Sequence, residues 1–241
     1  MPHFLVFQLF GDFASWGDIA VGEQRPTLPV PTKSAIMGLI AGAMGIRRDE
    51  EQRHTDLTQQ LHLGMQIFNR GGYLSDYHTT QVPTATSVKN KKIESRKMEL
   101  ECGDLGTILS TRAYWISPYY RITLQGDKQQ LELAKKALKN PVFVPYLGRK
   151  SCVLGLPLEP QVVEAKTFQN ALEIAVFLST PSELSTLTNQ TEFWWESSCQ
   201  SSCEKPDESV TLRTQISSRQ RWTFEEMTMH VARSKGDIYV S

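Results

Sequence analysis

Four cysteines in 241 residues (Cys102, Cys152, Cys199 and Cys203) are too few and too scattered for a disulfide scaffold. The expected setting is a reducing, cytoplasmic one. Long apolar runs are missing too. The longest, Ala35 to Ile46, has twelve residues and three glycines, against about 20 for a membrane-spanning helix. The opening MPHFLVFQLFGDF has neither a basic n-region nor a small-residue cleavage site, so no signal peptide and no membrane partner are expected. There is no Walker loop, no Gly-x-Ser-x-Gly and no His-Glu-x-x-His. Cys199-x-x-x-Cys203 lacks the second ligand pair of a structural zinc site, so no metal and no cofactor are expected. No internal repeat recurs at a fixed period.

Net charge is also absent, with 26 Lys and Arg against 26 Asp and Glu. The distribution is uneven. Lys33, Arg47 and Arg48 stand without an acid from 33 to 48, and KNKKIESRK (89–97) carries five bases against one acid. Residues 183–208 carry six acids against Lys205 alone. A phosphate footprint needs a local basic surface, because screening limits attraction to about 8 Å at physiological salt. A neutral total is compatible with such a surface.

Hydrophobic residues make up 40% of the chain, enough for a sizeable core. FLVFQLF (4–10) reads as a buried strand ended by Gly11-Asp12. Pro26, Pro29 and Pro31 stiffen the next connection. Thr32 then reads as the N-cap of a helix from Lys33 to about Gly45. Gly38 and Gly42 share one face of that helix, and close approach to a sheet is the expected reason for their cost. A polar helix over 50–62 and a strand over 63–69 follow. Residues 77–106 are poor in apolar side chains and predict a projecting, partly mobile hairpin. Beyond it the pattern predicts a strand pair from Thr111 to Leu124 around Ser117-Pro118, and then a helix over about 127–140. Strands over 161–168 and 173–179 and a poorly ordered loop over 188–209 complete the reading. The fold class is α+β: a ferredoxin-like core over 1–160 with a projecting hairpin, and a β-rich extension of the same body over 161–241.

Each candidate site has a plain reading beside a functional one. The Thr32-Lys33-Ser34 helix start offers unpaired amides, a cation and a hydroxyl to a phosphate, or it is ordinary capping. The Gly148-Arg149-Lys150 turn brings amides and two cations to a phosphate backbone, or it is a solvated basic turn. Lys89, Lys91, Lys92, Arg96 and Lys97 on the polar arm suit backbone contacts without sequence choice. Among the aromatics, Trp16 is the one expected to be exposed for base stacking. Tyr77-His78 would supply an acid and a base for metal-independent RNA cleavage, although neighbours on a strand face opposite sides.

Several of these segments resemble one family. Leu9 to Gly17, Arg25-Pro26-Thr27, Pro31 to Gly42, Gly45 to Asp49, Asp76-Tyr77-His78-Thr79 and Pro145 to Cys152 are similar, in order, to the CasD subunits of type I-E CRISPR Cascade, in the RAMP superfamily. The resemblance covers roughly residues 4–158 and weakens afterwards. It implies an RRM-like RAMP fold whose glycine-rich segment, Tyr146 to Lys150, lies against RNA. It also implies a thumb at 77–106 that packs on the adjoining backbone subunit. The implied role is a non-catalytic one in an antiviral surveillance complex: gripping the 5′ handle of the crRNA and contacting the large, PAM-recognising subunit, with target DNA met only indirectly. By matching position, Trp16, Arg25, Thr32, Lys33, Ser34, Tyr77, His78, Tyr146, Gly148, Arg149 and Lys150 become the handle-proximal residues. The alternatives are a metal-independent CRISPR repeat endoribonuclease, as relatives in another subtype are, with Tyr77, His78 and a lysine as its machinery, and a protein-only scaffold.

Overall fold

The computed structural model describes residues 1–89, 92–180, 184, 191–201, 203, 205–218, 221 and 223–233. The first strand, β1 (His3–Phe10), is apolar on both sides because it lies inside a sheet covered on both faces. Leu5, Phe7 and Leu9 point into one core, whereas Phe4 and Val6 point into a second. Short strands β2 (Phe13–Ala14) and β3 (Gln24–Arg25) follow. Helix α1 (Lys33–Ala43) starts where expected, with the Thr32 hydroxyl accepting from the Ala35 amide. Helix α2 (Glu51–Gln60) leads into strand β4 (His62–Asn69).

Next comes a long hairpin of two 12-residue strands, β5 (Gly72–Pro83) and β6 (Leu105–Ile116), with the short helices α3 (Ala85–Val88) and α4 (Arg96–Leu100) at its end. Strand β7 (Tyr119–Gly126) returns to the main sheet. Helix α5 (Lys128–Lys139) is capped by Asp127 and buries Leu131, Ala134 and Leu138 along one stripe. Strand β8 (Gln161–Glu164), helix α6 (Phe168–Ile174) and strands β9 (Glu192–Glu196), β10 (Glu208–Ser218) and β11 (Thr223–Arg233) complete the order.

The main sheet runs β10-β11-β9-β4-β7-β1-β8. Its segment β8-β1-β7-β4, all neighbours antiparallel, is built from two β-α-β units, β1-α1-β4 and β7-α5-β8. This is the ferredoxin-like arrangement expected from the sequence. Strands β9, β11 and β10 extend the sheet beyond β4, so its C-terminal strands share one hydrogen-bonded surface with the N-terminal ones. The hairpin belongs to a second sheet, in which β2 and β3 pair with the opposite edge of β6. Its ladder runs without a register shift from Gly72 paired with Ile116 to Pro83 paired with Leu105. Order in this apolar-poor arm therefore comes from the backbone ladder.

Four expectations are corrected. Residues 119–124 do not pair with 111–116: β6 and β7 lie in different sheets, and Ser117, at φ 53°, makes the turn between them. The strand over 161–168 stops at Glu164. The expected strand over 173–179 is instead the end of α6, whose N-cap Thr167 accepts from the Asn170 amide, followed by irregular chain. The stretch 188–209, read as a loop, contains β9, whose Trp194, Trp195 and Glu196 are buried between β4 and β11. Its serines and acids masked a short apolar strand.

Gly64 on β4 lies directly beneath Phe168, the first residue of α6. A Cβ there would sit 2.7 Å from Thr123 Oγ1 and 2.8 Å from the Phe168 ring. Gly64→Ala is expected to cost about 1–3 kcal/mol by overpacking, read as a lower urea midpoint. An unchanged midpoint would contradict this packing.

Candidate nucleic-acid interface

A groove of about 930 Å³ opens along α1. Its floor is the helix face carrying Ser34, Gly38 and Gly42, spaced four apart. One wall is the segment from Phe143 to Lys150 together with Val153, and the other holds Arg48, His54, Ile216 and Phe224. The first wall is tied to the floor where the Phe143 and Val142 amides donate to the Gly42 and Ala43 carbonyls, at 3.3 and 3.0 Å. Arg48, Arg149 and Lys150 line the groove, and no carboxylate does so among the described residues. Val144, Tyr146 and Val153 expose apolar surface there, 80%, 39% and 59% accessible. A site of this kind suits an anion that also has flat apolar parts.

The floor corrects the reading of the glycines. A Cβ at Gly38 or Gly42 would meet nothing within 4 Å, so they face the groove and not a sheet. Their absent side chains leave its floor open.

The Pro145 to Cys152 turn is closed by Leu147 N to Cys152 O and Cys152 N to Arg149 O, both 2.8 Å. Ser15 N donates to Leu147 O at 3.0 Å, joining the turn to the chain after β1. Gly148 sits at φ +83°, and a Cβ there would lie 1.8 Å from the Ser15 carbonyl oxygen. Only glycine fits this crossing. Burial pushes the Cys152 thiol up from its ordinary pKa. The Arg149 guanidinium donates to the carbonyls of Ala113 (3.2 Å) and Arg25 (2.9 Å) and stacks 4.7 Å from the Tyr114 ring centroid. Arg25 thus supports the rim from behind, with its own guanidinium donating to Gly22 O and Gln24 O.

Two residues differ from expectation. Trp16 is buried, not exposed: its indole Nε1 donates to the Tyr120 hydroxyl at 3.2 Å, edge-on to that ring. Burial drives the Tyr120 hydroxyl well above the ordinary tyrosine pKa, with the indole bond opposing it. Lys33 offers no charge to the groove. It is buried at 4% exposure, and its Nζ donates to Glu196 Oε2 at 2.8 Å. Glu196 Oε1 accepts from the Leu63 amide at 2.7 Å. The pair ties the first turn of α1 to β4 and β9.

The groove brings together Trp16, Thr32, Ser34, Tyr146, Gly148, Arg149 and Lys150. Tyr77 and His78 stand apart on β5. Their side chains take opposite faces, with Tyr77 63% exposed and His78 Nε2 2.5 Å from Asp76 Oδ2. At the hairpin end, Lys92 pairs with Glu94 at 2.7 Å, and Arg96 pairs with Glu99 at 2.5 Å and donates to Gln81 O. Lys89 and Lys97 are exposed, whereas Lys91 lies outside the described residues.

Arg48, Ile216 and Phe224 were missed as lining residues. Arg48 was visible in the acid-free run 33–48, but nothing local placed the distant β10–β11 hairpin beside α1.

A ferredoxin-like body with a long hairpin and a cation-lined groove beside a glycine turn is the arrangement that the resemblance to RAMP proteins implies. The chain belongs to the Cas5 family: the family described as CRISPR-associated protein (Cas_Cas5) matches residues 4–230. A curated relative, the CRISPR system Cascade subunit CasD of Escherichia coli strain K12, is 28% identical over 184 residues, 71% of this chain and 76% of that protein. A chain of a solved CRISPR RNA-guided surveillance complex superposes with a TM-score of 0.66 at 22% identity, covering 95% of this chain and 88% of the other. A second solved structure, titled as a Cas protein, gives 0.56 at 22% identity, over 95% and 93% of the two chains. No helix among the described residues is long and apolar enough to cross a membrane.

Two outcomes test this geometry. Lys33→Ala is expected to cost about 3–5 kcal/mol by stranding a buried carboxylate. Lys33→Met with Glu196→Gln, which keeps an acceptor for the Leu63 amide, should recover most of that loss in urea titrations; simple additivity would contradict the pairing. Gly38→Ala should raise the melting temperature by about 2–4 °C, since alanine is favoured by about 1 kcal/mol in an open helix position. A lower melting temperature would mean that this face is packed.

Proposed function

We propose that this chain is the non-catalytic crRNA-binding subunit of a type I-E Cascade surveillance complex, and that its groove holds the 5′ handle of the guide. One observation carries the reading: a groove lined by Arg48, Arg149 and Lys150 without a carboxylate, in a chain of zero net charge. Family membership and the CasD relative support the same assignment. Phosphates meet the cations and the amides at the rim, and unstacked bases lie on the exposed apolar surface of Val144, Tyr146 and Val153, as in other single-strand RNA sites. The thumb, from Gly72 to Ile116, reaches the adjoining backbone subunit with Lys89, Lys92 and Lys97 exposed. The large subunit packs beside the handle, so target DNA is met only through it.

The opposed faces of Tyr77 and His78, and the tie of His78 to Asp76, support a binding role over cleavage. Lys150 gives the cleanest test, since it is exposed and its ammonium makes no hydrogen bond among the described residues. Lys150→Gln should weaken binding of single-stranded repeat RNA to the full chain and make the slope of log affinity against log salt shallower by about 0.7. Unchanged affinity and slope would sink the groove reading.

A further inference from the structure

The second wall of the groove comes from the far end of the chain, and nothing in the handle-binding reading says what it does. Ile216 on β10 and Phe224 on β11 are direct cross-strand partners, and both line the groove opposite the Tyr146 wall. The ladder is irregular on either side of the pair, between Leu212 and Gln215 and again between Ile216 and Ser218. Bulges of this kind re-aim side chains. Here they coincide with the two positions that face α1.

The pair is also held in place. Ile216 lines a cleft of about 20 Å³ with Lys33, Met37 and His54, which places it beside α1 and α2. The Arg213 Nε donates to the Phe224 carbonyl at 3.2 Å. Both residues remain partly exposed. This is a fixed aromatic and aliphatic surface at the edge of a carboxylate-free groove that also carries Arg48. A protein segment would need only the apolar surface. A nucleotide uses both features, with its phosphate towards the cations and its base against the ring.

We propose that the Ile216–Phe224 pair is a base platform, against which one unstacked nucleobase of the bound RNA lies. It makes the β10–β11 hairpin the element that chooses the position of one nucleotide. The inference rests on the groove being the RNA site and adds a subsite to it.

The test uses the full chain and a fluorescein-labelled single-stranded RNA carrying the handle, with an abasic residue placed at each position in turn. Phe224→Leu should weaken binding of the intact RNA about tenfold, as expected for loss of one stacked base. The salt slope should stay unchanged, because no phosphate contact is lost. One abasic position should weaken the parent but not Phe224→Leu, and Phe224→Tyr should restore the parent affinity.

Parent-like binding by Phe224→Leu overturns the platform, and so does a loss spread evenly over all abasic positions. Normal RNA binding by Phe224→Leu with loss of binding to the other complex subunits overturns it in favour of a protein-docking role. If the parent itself binds no RNA, the handle reading fails instead. Phe224→Tyr settles the matter should Phe224→Leu unfold: with intact folding, its parent-like abasic profile supports the platform and a flat profile refutes it.

Discussion

A single buried ion pair sets the geometry on which the groove depends. Lys33 and Glu196 meet at 2.8 Å with side chains 5% and 9% exposed. They join the first residue of the floor helix to a strand from the far end of the sequence. The other oxygen of Glu196 is held by the Leu63 amide, which fixes the carboxylate against β4. A pair this dry contributes little net stability compared with apolar packing, yet it is costly to break from one side. Its effect is therefore on register. β9 lies between β4 and β11, so pinning β9 to α1 also sets where the β10–β11 hairpin stands over the helix.

The same pair explains part of the charge pattern. Two described acids of the 183–208 stretch, Glu192 and Glu196, are taken up by cations. Glu196 is spent inside the body, and Glu192 pairs with Arg70 and Arg233. Burial alone would raise Glu192, but the Trp194 indole bond and the Arg70 and Arg233 charges outweigh it and hold its carboxyl below the usual range. Three cations line the groove, and none of its lining residues among those described is an acid. A chain of zero net charge thus presents a locally positive cleft.

Local signals made much of this legible. The apolar run 4–10, the Thr32 cap and the helix expected over about 127–140 announced the two β-α-β units, because each is decided by residues close in sequence. The turn at Gly148 was legible for the same reason. The failures share a cause as well. Lys33 reads as a free cation until Glu196, 163 positions away, is placed beside it. Trp16 reads as exposed until Tyr120 is folded onto it. Gly38 and Gly42 were noticed but turned the wrong way, since sequence spacing gives the shared face of a helix and not what that face meets. Trp194 and Trp195 were hidden by polar neighbours on either side.

Single-stranded RNA is proposed to lie in the groove along α1. Photocrosslinking RNA with 4-thiouridine at successive handle positions, followed by mass spectrometry of the joined peptides, tests it most directly. Crosslinks are expected on the Phe143–Lys150 wall and around Ile216 and Phe224 from nucleotides near the 5′ end. Crosslinks confined to other surfaces, with both walls silent, would contradict this placement.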